Sequence, residues 1–182
     1  GLHLVRKLLA QIDESQLSES ARYELKHRLV PKEKDFEMAI ALAHGIAFDP
    51  IADSGEVTRN STLNVNLNIT NRSPIPVELQ SLNVQTPNGW TSRPIDNNKN
   101  SDTTPTLPKT LTDNMRLSLT YKVQVGDSAN YDRPYWTRAN TSIDRFELID
   151  PSYFGLPWRP PSLKANATLL SDTTEITLER PV

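Results

Sequence analysis

The distribution of asparagine and threonine divides this 182-residue chain into two parts. The first 57 residues contain neither type, whereas the remaining 125 contain 14 Asn and 17 Thr. The first part is rich in Ala, Leu, Glu, Lys and Arg, which lose little side-chain entropy in a helix. The second part alternates aliphatic residues with Thr and Asn, a composition that favours short strands joined by turns. We therefore predict a helical segment followed by an all-β domain.

Apolar residues at helical spacing predict two to three helices within residues 1–49. The first stripe comprises Val5, Leu8, Leu9 and Ile12, and the second comprises Leu17, Ala21, Leu25 and Leu29. Pro31 is expected to interrupt the second helix, because proline lacks the N–H that the helical ladder needs. A third stripe over residues 36–43 is followed by Gly45, which is expected as the residue that ends the helix. The small side chains of Ala39, Ala41 and Ala43 favour close approach to a partner surface.

From residue 55 the hydrophobic period changes to two, which is typical of half-buried strands. Residues 62–69 and 115–125 alternate without fault. Val77 and Leu79 are out of phase with Leu82 and Val84, so we predict a β-bulge near Gln80–Ser81. A final hairpin is expected to turn at Ser171–Thr174 and a further strand to run over residues 143–149.

About seven short antiparallel strands with no helices between them predict an immunoglobulin-like β-sandwich. The fold class expected is α+β by content, with an N-terminal helical segment followed by that sandwich. We predict two domains, a helical connector over residues 1–49 and the sandwich over residues 50–182. The chain begins with Gly1 rather than Met, as expected of a piece of a longer polypeptide or of a processed one.

Charge and composition argue against several functions. Lys and Arg number 20 against 22 Asp and Glu, and no basic stripe is present, so nucleic acid is not an expected partner. No apolar run reaches the roughly 18–20 residues of a membrane span, so none is predicted. The absence of cysteine removes disulfides, thiolate catalysis and Cys-ligated zinc.

The sequence contains no recognisable catalytic motif. His3, His27 and His44 are scattered over the predicted helices without metal-ligand spacing, and no histidine lies in the β domain to act as a base. His44 is expected to serve the end of its helix. The segment 96–107 resembles a calcium loop, but it lacks the glycine and the bidentate glutamate of such loops. We predict that this chain is not an enzyme and has no cofactor, metal-binding or catalytic residue; an autonomous hydrolase is the alternative hypothesis.

Residues 131–159 hold the strongest candidate binding site, because seven of the 12 aromatic residues lie there among four arginines. Aromatic faces beside planar hydrogen-bonding groups suit sugar rings or a partner protein. Three interpretations stay open: core packing, a protein interface, or a small-ligand site. The candidate ligand- or partner-binding residues are Tyr131, Arg133, Tyr135, Trp136, Arg138, Trp158 and Arg159.

Several segments resemble the C-terminal accessory region of long bacterial PIG-L (LmbE-like) proteins, a family of zinc-dependent N-acetylglucosaminyl deacetylases. They are DFEMAIALAHGIAFDP, NITNRSPIPVELQSLNVQTPNGW, RPYW, GLPWRPPSLKA and ITLERPV, within about residues 30–182. In that family a Rossmann-like catalytic domain precedes a helical connector and a β-sandwich similar to bacterial alpha-galactosidase-associated modules. The family's zinc-binding stretch, Ala-His-Pro-Asp-Asp, does not occur in this sequence.

The resemblance implies a non-catalytic accessory domain that scaffolds or positions a sugar deacetylase domain of the same polypeptide, which would itself hold the zinc. The helices would pack on that catalytic domain. An extracytoplasmic location, periplasmic or secreted, is expected from the same likeness. The alternative function is a carbohydrate-binding module, which would bind a polysaccharide or amino sugar through exposed and coplanar rings in residues 131–159.

Overall fold

The fold was determined as a computed structural model, which describes residues 1–95, 106–131, 133–138, 140, 142 and 144–182. The described residues form two helices, α1 (Leu2–Glu14) and α2 (Glu19–Ala43), followed by antiparallel strands. The strands are β1 (Ile46–Ala52), β2 (Thr62–Asn71), β3 (Val77–Gln85), β4 (Trp90–Ile95), β5 (Lys109–Leu111), β6 (Arg116–Val125), β7 (Trp136–Thr137), β8 (Glu147–Leu148), β9 (Lys164–Ser171) and β10 (Thr174–Pro181). Residues 96–105 of the segment that resembles a calcium loop lie outside the described residues.

The two helices begin and end at residues whose side chains or conformations suit those positions. Ser18 caps α2, because its hydroxyl accepts a hydrogen bond of 3.3 Å from the Ala21 N–H. Gly45 follows α2 with φ +61, the left-handed conformation in which glycine is least strained. The prediction of a first helix is thus confirmed, and so is the prediction that Gly45 ends the last helix.

The prediction that Pro31 interrupts the second helix is wrong, because α2 continues through Pro31 for 25 residues. Tertiary contacts on both sides of the proline stabilise the continuous helix. Before the proline Lys26 forms an ion pair with Asp13 of α1, and after it Ala41 is buried in the sandwich core at 1% exposure. The cost of one missing hydrogen bond is smaller than the gain from those contacts.

Eight strands form two four-stranded antiparallel sheets that share one apolar core. Their hydrogen-bonded orders are β1-β2-β6-β4 and β10-β9-β3-β5. The inward residues of both sheets are mostly aliphatic and almost wholly buried, among them Val65, Leu67, Ile69, Leu79, Leu111, Val123, Leu169 and Ile176. The alternation read from the sequence therefore identifies the core-facing side of the long strands.

The predicted bulge is confirmed on β3, where the register with β9 shifts between Leu79 and Ser81. The extra residue returns Leu82 to the inward side, so that both Leu79 and Leu82 are buried. The final hairpin is also confirmed, with Ile176 opposite Leu169 and Asp172 in the left-handed conformation at the turn.

Prolines occupy three of the edge strands of the two sheets. Pro50 lies in β1, Pro94 in β4 and Pro181 in β10, and each of these strands is the first or last of its sheet. A proline on an edge strand removes no inner hydrogen bond and discourages pairing with another chain. β1 begins at Ile46, so the predicted domain boundary after residue 49 falls inside this strand.

A buried carboxylate joins the helices to the sandwich. Glu37 of α2, which is 3% exposed, accepts hydrogen bonds from Arg6 Nη2 at 2.8 Å and from the Thr177 N–H of β10 at 3.1 Å. Arg6 also donates to Glu33 at 2.7 Å and to the Glu175 carbonyl at 2.7 Å. Both helices are thereby attached to the edge strand β10.

Between β6 and β9 the chain forms an excursion of residues 126–163, here named the β6–β9 insertion. Its described residues include the two-stranded pair β7 and β8 and a 3₁₀ turn at Pro151–Tyr153. The strand predicted over residues 143–149 is limited to Glu147–Leu148, with Ile143 outside the described residues. Within the described part of the chain, no helix has the length and apolar character needed to cross a membrane.

Candidate functional site

The β6–β9 insertion forms a cleft of about 600 Å³ with the loop that joins β1 to β2. We name it the insertion cleft. Its walls combine tyrosine rings and guanidinium groups, contributed by Arg59, Tyr131, Arg133, Tyr135, Tyr153 and Arg159. A cleft of this size lies in the range that small organic ligands occupy.

Arg59 holds the two sides of the insertion cleft together. Its Nε donates a hydrogen bond of 2.7 Å to the carbonyl of Ala129, a residue buried at 1% exposure. Its guanidinium lies over the ring of Tyr131, 4.1 Å from the ring centre, in a cation–π contact. The neighbouring Asn60 N–H donates to the Val125 carbonyl at 3.0 Å, which fixes this turn to the end of β6.

Hydrogen bonds within the insertion position the tyrosines on the opposite wall. The Tyr135 hydroxyl donates to the Leu156 carbonyl at 3.0 Å, and the Tyr135 carbonyl accepts from the Ile149 N–H at 2.9 Å. The rings of Tyr135 and Tyr153 meet edge to face, with centres 6.2 Å apart and planes at 85°. Both rings line the cleft, and each is held by the other and by the framework of the insertion.

The charged side chains of the insertion cleft are mostly cationic. Three arginines line it, against one carboxylate, that of Asp150. Arg159 donates from Nη1 to the Arg133 carbonyl at 3.3 Å, which joins the two ends of the insertion. The cleft thus combines apolar ring surface with planar donors, which is the chemistry of a site that binds a polar ring bearing acceptor groups.

The structure brings together only some of the residues selected from the sequence. Tyr131, Arg133, Tyr135 and Arg159 line the insertion cleft, but Trp136, Arg138 and Trp158 do not. Trp136 instead packs edge to face on Phe146, with centres 4.8 Å apart and planes at 78°. Arg138 forms an ion pair of 2.9 Å with Asp144 and lies over the same Phe146 ring.

The core-packing interpretation of the aromatic cluster is wrong. Phe154 is 83% exposed, Trp158 81%, Tyr131 63% and Phe146 56%. The two inward faces of the sandwich are already filled by aliphatic side chains, so these rings remain at the surface. The expected coplanar arrangement is absent from the two measured ring pairs of the insertion, whose planes are close to perpendicular.

Sequence reasoning missed Arg59 and Tyr153 as site residues. Arg59 lies more than 70 residues before the aromatic cluster, and it joins the site only because the β1–β2 loop meets the end of β6. A local pattern cannot report such a contact. Tyr153 is one of the seven aromatic residues of segment 131–159, and its place in the wall beside Tyr135 is seen only in the structure.

A Ser–His contact was not predicted, because no histidine lies within the β domain of the sequence. Its Nε2 lies 3.0 Å from Ser171 Oγ at the end of β9. Ser171 is 8% exposed, and His44 Nδ1 has no hydrogen-bond partner among the described residues, so the orienting group of a catalytic triad is missing there. The pair links α2 to β9. His44 is also the C-cap of α2, as predicted.

A second basic surface lies at the opposite end of the sheet that contains β6. Arg72, Arg116 and Arg180 line a groove of about 530 Å³, here named the arginine groove. It has no aromatic wall comparable to that of the insertion cleft, since Phe48 is its one aromatic lining residue and is 4% exposed. Among the described residues, no cluster of three or more His, Asp or Glu side chains could hold a metal ion.

Comparisons with known proteins give limited information. No family model and no curated protein match this chain. Among solved structures it is similar to a FixG-related protein from Vibrio parahaemolyticus, with 10% identity and a TM-score of 0.37 over 74% of this chain and 92% of that one. It is also similar to the GAE domain of yeast GGA1, with 18% identity and a TM-score of 0.37 over 75% of this chain and 88% of that one. TM-scores of this size carry no argument about function.

Proposed function

We propose that this chain is a non-catalytic accessory module with an immunoglobulin-like sandwich, and that it binds a carbohydrate in the insertion cleft. The observation that carries the proposal is the cleft itself, where tyrosine rings and arginines are positioned by contacts with the framework. Tyrosine supplies apolar surface for the carbon face of a sugar ring, and guanidinium groups donate to its oxygens.

The strand order supports the immunoglobulin-like part of the proposal. A constant-type immunoglobulin domain has one sheet ordered A-B-E-D and a second containing G-F-C. If β1, β2, β3, β4, β6, β9 and β10 are taken as A to G in chain order, the two sheets have these same orders. β5 is then an additional short strand beside C, and the β6–β9 insertion lies between E and F.

The shape of the site favours a ligand held in a cleft over one lying on a flat aromatic platform. The measured ring pairs of the insertion are perpendicular, whereas a platform needs coplanar faces. Tyr131, Tyr135 and Tyr153 instead form walls around about 600 Å³, enough for one or two sugar rings.

Calorimetric titration of the full chain with chitin and peptidoglycan oligosaccharides tests this proposal. We expect Tyr131→Ala to weaken binding at least about tenfold, because it removes a ring wall and the surface on which Arg59 rests. Phe154→Ala is the matched control, since Phe154 is 83% exposed and does not line the cleft. Failure of every oligosaccharide to release heat, or equal losses in the two variants, would refute the proposal.

The helices support a second candidate function, docking onto another domain of the same polypeptide. Large apolar side chains remain exposed on both helices, including Leu4 at 58%, Tyr23 at 68% and Leu42 at 67%. Helices with so little buried surface gain stability when a partner covers them. We propose that a deacetylase domain of the PIG-L type is this partner and holds the zinc, and that the protein acts outside the cytoplasm.

The docking proposal has a separate test. The coding sequence upstream of residue 1 should encode a His-Pro-Asp-Asp segment, and the expressed catalytic domain should bind this chain in trans. We expect Tyr23→Ser combined with Leu42→Ser to abolish that binding while leaving sugar binding unchanged. An upstream region without the segment would refute the deacetylase link, and cell fractionation would test the location.

A further inference from the structure

We propose that the ligand of the insertion cleft is an acidic sugar, whose carboxylate or phosphate is bound by Arg59 and Arg133. This inference rests on the proposed carbohydrate-binding function and specifies its ligand class. It follows from the charges that line the cleft and from the partners that its arginines have or lack.

Several arginines elsewhere in the described chain are paired with carboxylates. Arg6 contacts Glu33 at 2.7 Å and Glu37 at 2.8 Å, and Arg138 contacts Asp144 at 2.9 Å. The guanidinium groups of Arg59 and Arg133 differ, because no carboxylate of a described residue pairs with either of them. Two cationic groups without a paired carboxylate therefore face the same cleft, where three arginines stand against the one carboxylate of Asp150.

The position of Arg59 leaves its terminal nitrogens for a ligand. Its Nε is used by the Ala129 carbonyl, and one face of the guanidinium is covered by the Tyr131 ring. A guanidinium held in this way is oriented in advance, so binding an anion costs it little additional side-chain entropy. The planar fork of Nη1 and Nη2 matches the two oxygens of a carboxylate or phosphate.

The dimensions and walls favour an acidic sugar over a free inorganic ion. The cleft encloses about 600 Å³, far more than a phosphate ion requires, and three tyrosines line it. Those rings suit the carbon face of a pyranose, while the arginines suit its acidic substituent. A neutral sugar would satisfy the rings and leave the two guanidinium groups without an ionic partner.

The deciding experiment compares ligands that differ by one acidic group. Calorimetry on the full chain would use N,N′-diacetylchitobiose and the same disaccharide bearing an O-lactyl carboxylate, and N-acetylglucosamine with and without a 6-phosphate. We expect the preferred acidic ligand to bind roughly 10- to 100-fold more tightly than its neutral counterpart, as for a charge-assisted hydrogen-bonded pair. The pair of ligands that shows this preference distinguishes a carboxylate from a phosphate.

Two variants separate recognition in the cleft from general attraction of anions. Arg133→Gln should abolish the preference for the acidic ligand, because glutamine keeps a hydrogen-bond donor at this exposed position but carries no positive charge. Arg72→Gln, in the arginine groove, removes an equal charge far from the cleft and should leave the preference unchanged.

The outcomes distinguish failure of the acidic-ligand inference from failure of the carbohydrate-binding proposal. Equal affinity for acidic and neutral sugars, with binding still lost in Tyr131→Ala, would overturn the acidic-ligand inference and leave the carbohydrate-binding function standing. Equal effects of Arg133→Gln and Arg72→Gln would also overturn it, since the preference would then be a non-specific charge effect. If none of the sugars binds, both the acidic-ligand inference and the carbohydrate-binding proposal are overturned.

Discussion

The sandwich core and the β6–β9 insertion are both rich in large apolar side chains, but they use them differently. Leu67, Ile69 and Leu79 in the sheets are 0% exposed, whereas Phe154 and Trp158 in the insertion are 83% and 81% exposed. Aliphatic residues of period two fill the space between the sheets, so no room remains there for the aromatic rings. The comparison indicates that the sheets supply stability and that the insertion supplies a surface.

The largest effect is expected in the core. Leu67→Ala should lower the free energy of unfolding by about 2–5 kcal/mol, because it creates a cavity between closely packed sheets. The same substitution at Leu4, which is 58% exposed, should cost less than about 0.5 kcal/mol. Urea unfolding of both variants measures the difference, and similar losses would contradict the contrast between core and surface.

A smaller loss is expected where the helices join the sandwich. Glu37→Ala leaves the Thr177 N–H without its carboxylate acceptor and removes the ion pair with Arg6, so unfolding should become easier by about 2–3 kcal/mol. Glu33→Ala removes the other carboxylate that pairs with Arg6, at a less buried site, and should lower the free energy of unfolding by less than about 1 kcal/mol. If thermal unfolding shows equal losses of stability for Glu37→Ala and Glu33→Ala, Glu37 is not the principal link between the helices and the sandwich.

Tyr121 gives a pH-dependent test of the core. Burial raises the pKa of Tyr121 above its ordinary value of 10.0, and its hydroxyl donates to the Leu82 carbonyl. The unfolded state therefore loses this proton at a lower pH than the folded state, so the stabilisation is present below about pH 10 and is lost as pH rises further. Tyr121→Phe should cost about 1 kcal/mol at pH 8. Urea unfolding should show that the difference in unfolding free energy between the original protein and Tyr121→Phe is smaller at pH 11 than at pH 8. An equal difference at the two pH values would contradict the argument.

The smallest change in stability is expected in the insertion. Trp158→Ala should alter the free energy of unfolding by no more than about 0.5 kcal/mol, because its ring is 81% exposed. Differential scanning calorimetry would detect a larger change. A loss above about 1.5 kcal/mol would mean that the ring packs on the framework, contrary to the distinction between the two regions.

The sequence predicted features that depend on neighbouring residues. Alternation located β2 and β6, the phase change in β3 located the bulge, and Gly45 located the end of α2. Each of these signals is carried by residues a few positions apart, so the periodicity of the side chains is sufficient to read it.

Features that depend on distant contacts were missed or misjudged. Pro31 does not end its helix because packing on either side outweighs its local cost. His44 reaches Ser171 across 127 positions, and Arg59 meets Tyr131 across an interval that spans five intervening strands. No local pattern encodes these pairs, since they form only when the sheets have assembled.

Residue type and spacing predicted that helices precede alternating strands, and which faces of the long strands are apolar. The exposure of the aromatic residues of the insertion, and the contact of Arg59 with them, arise from the packing of the whole domain. The physical reason is competition for a limited interior. Aliphatic side chains from two sheets fill the core, and the remaining rings and arginines are arranged by contacts between segments far apart in the chain.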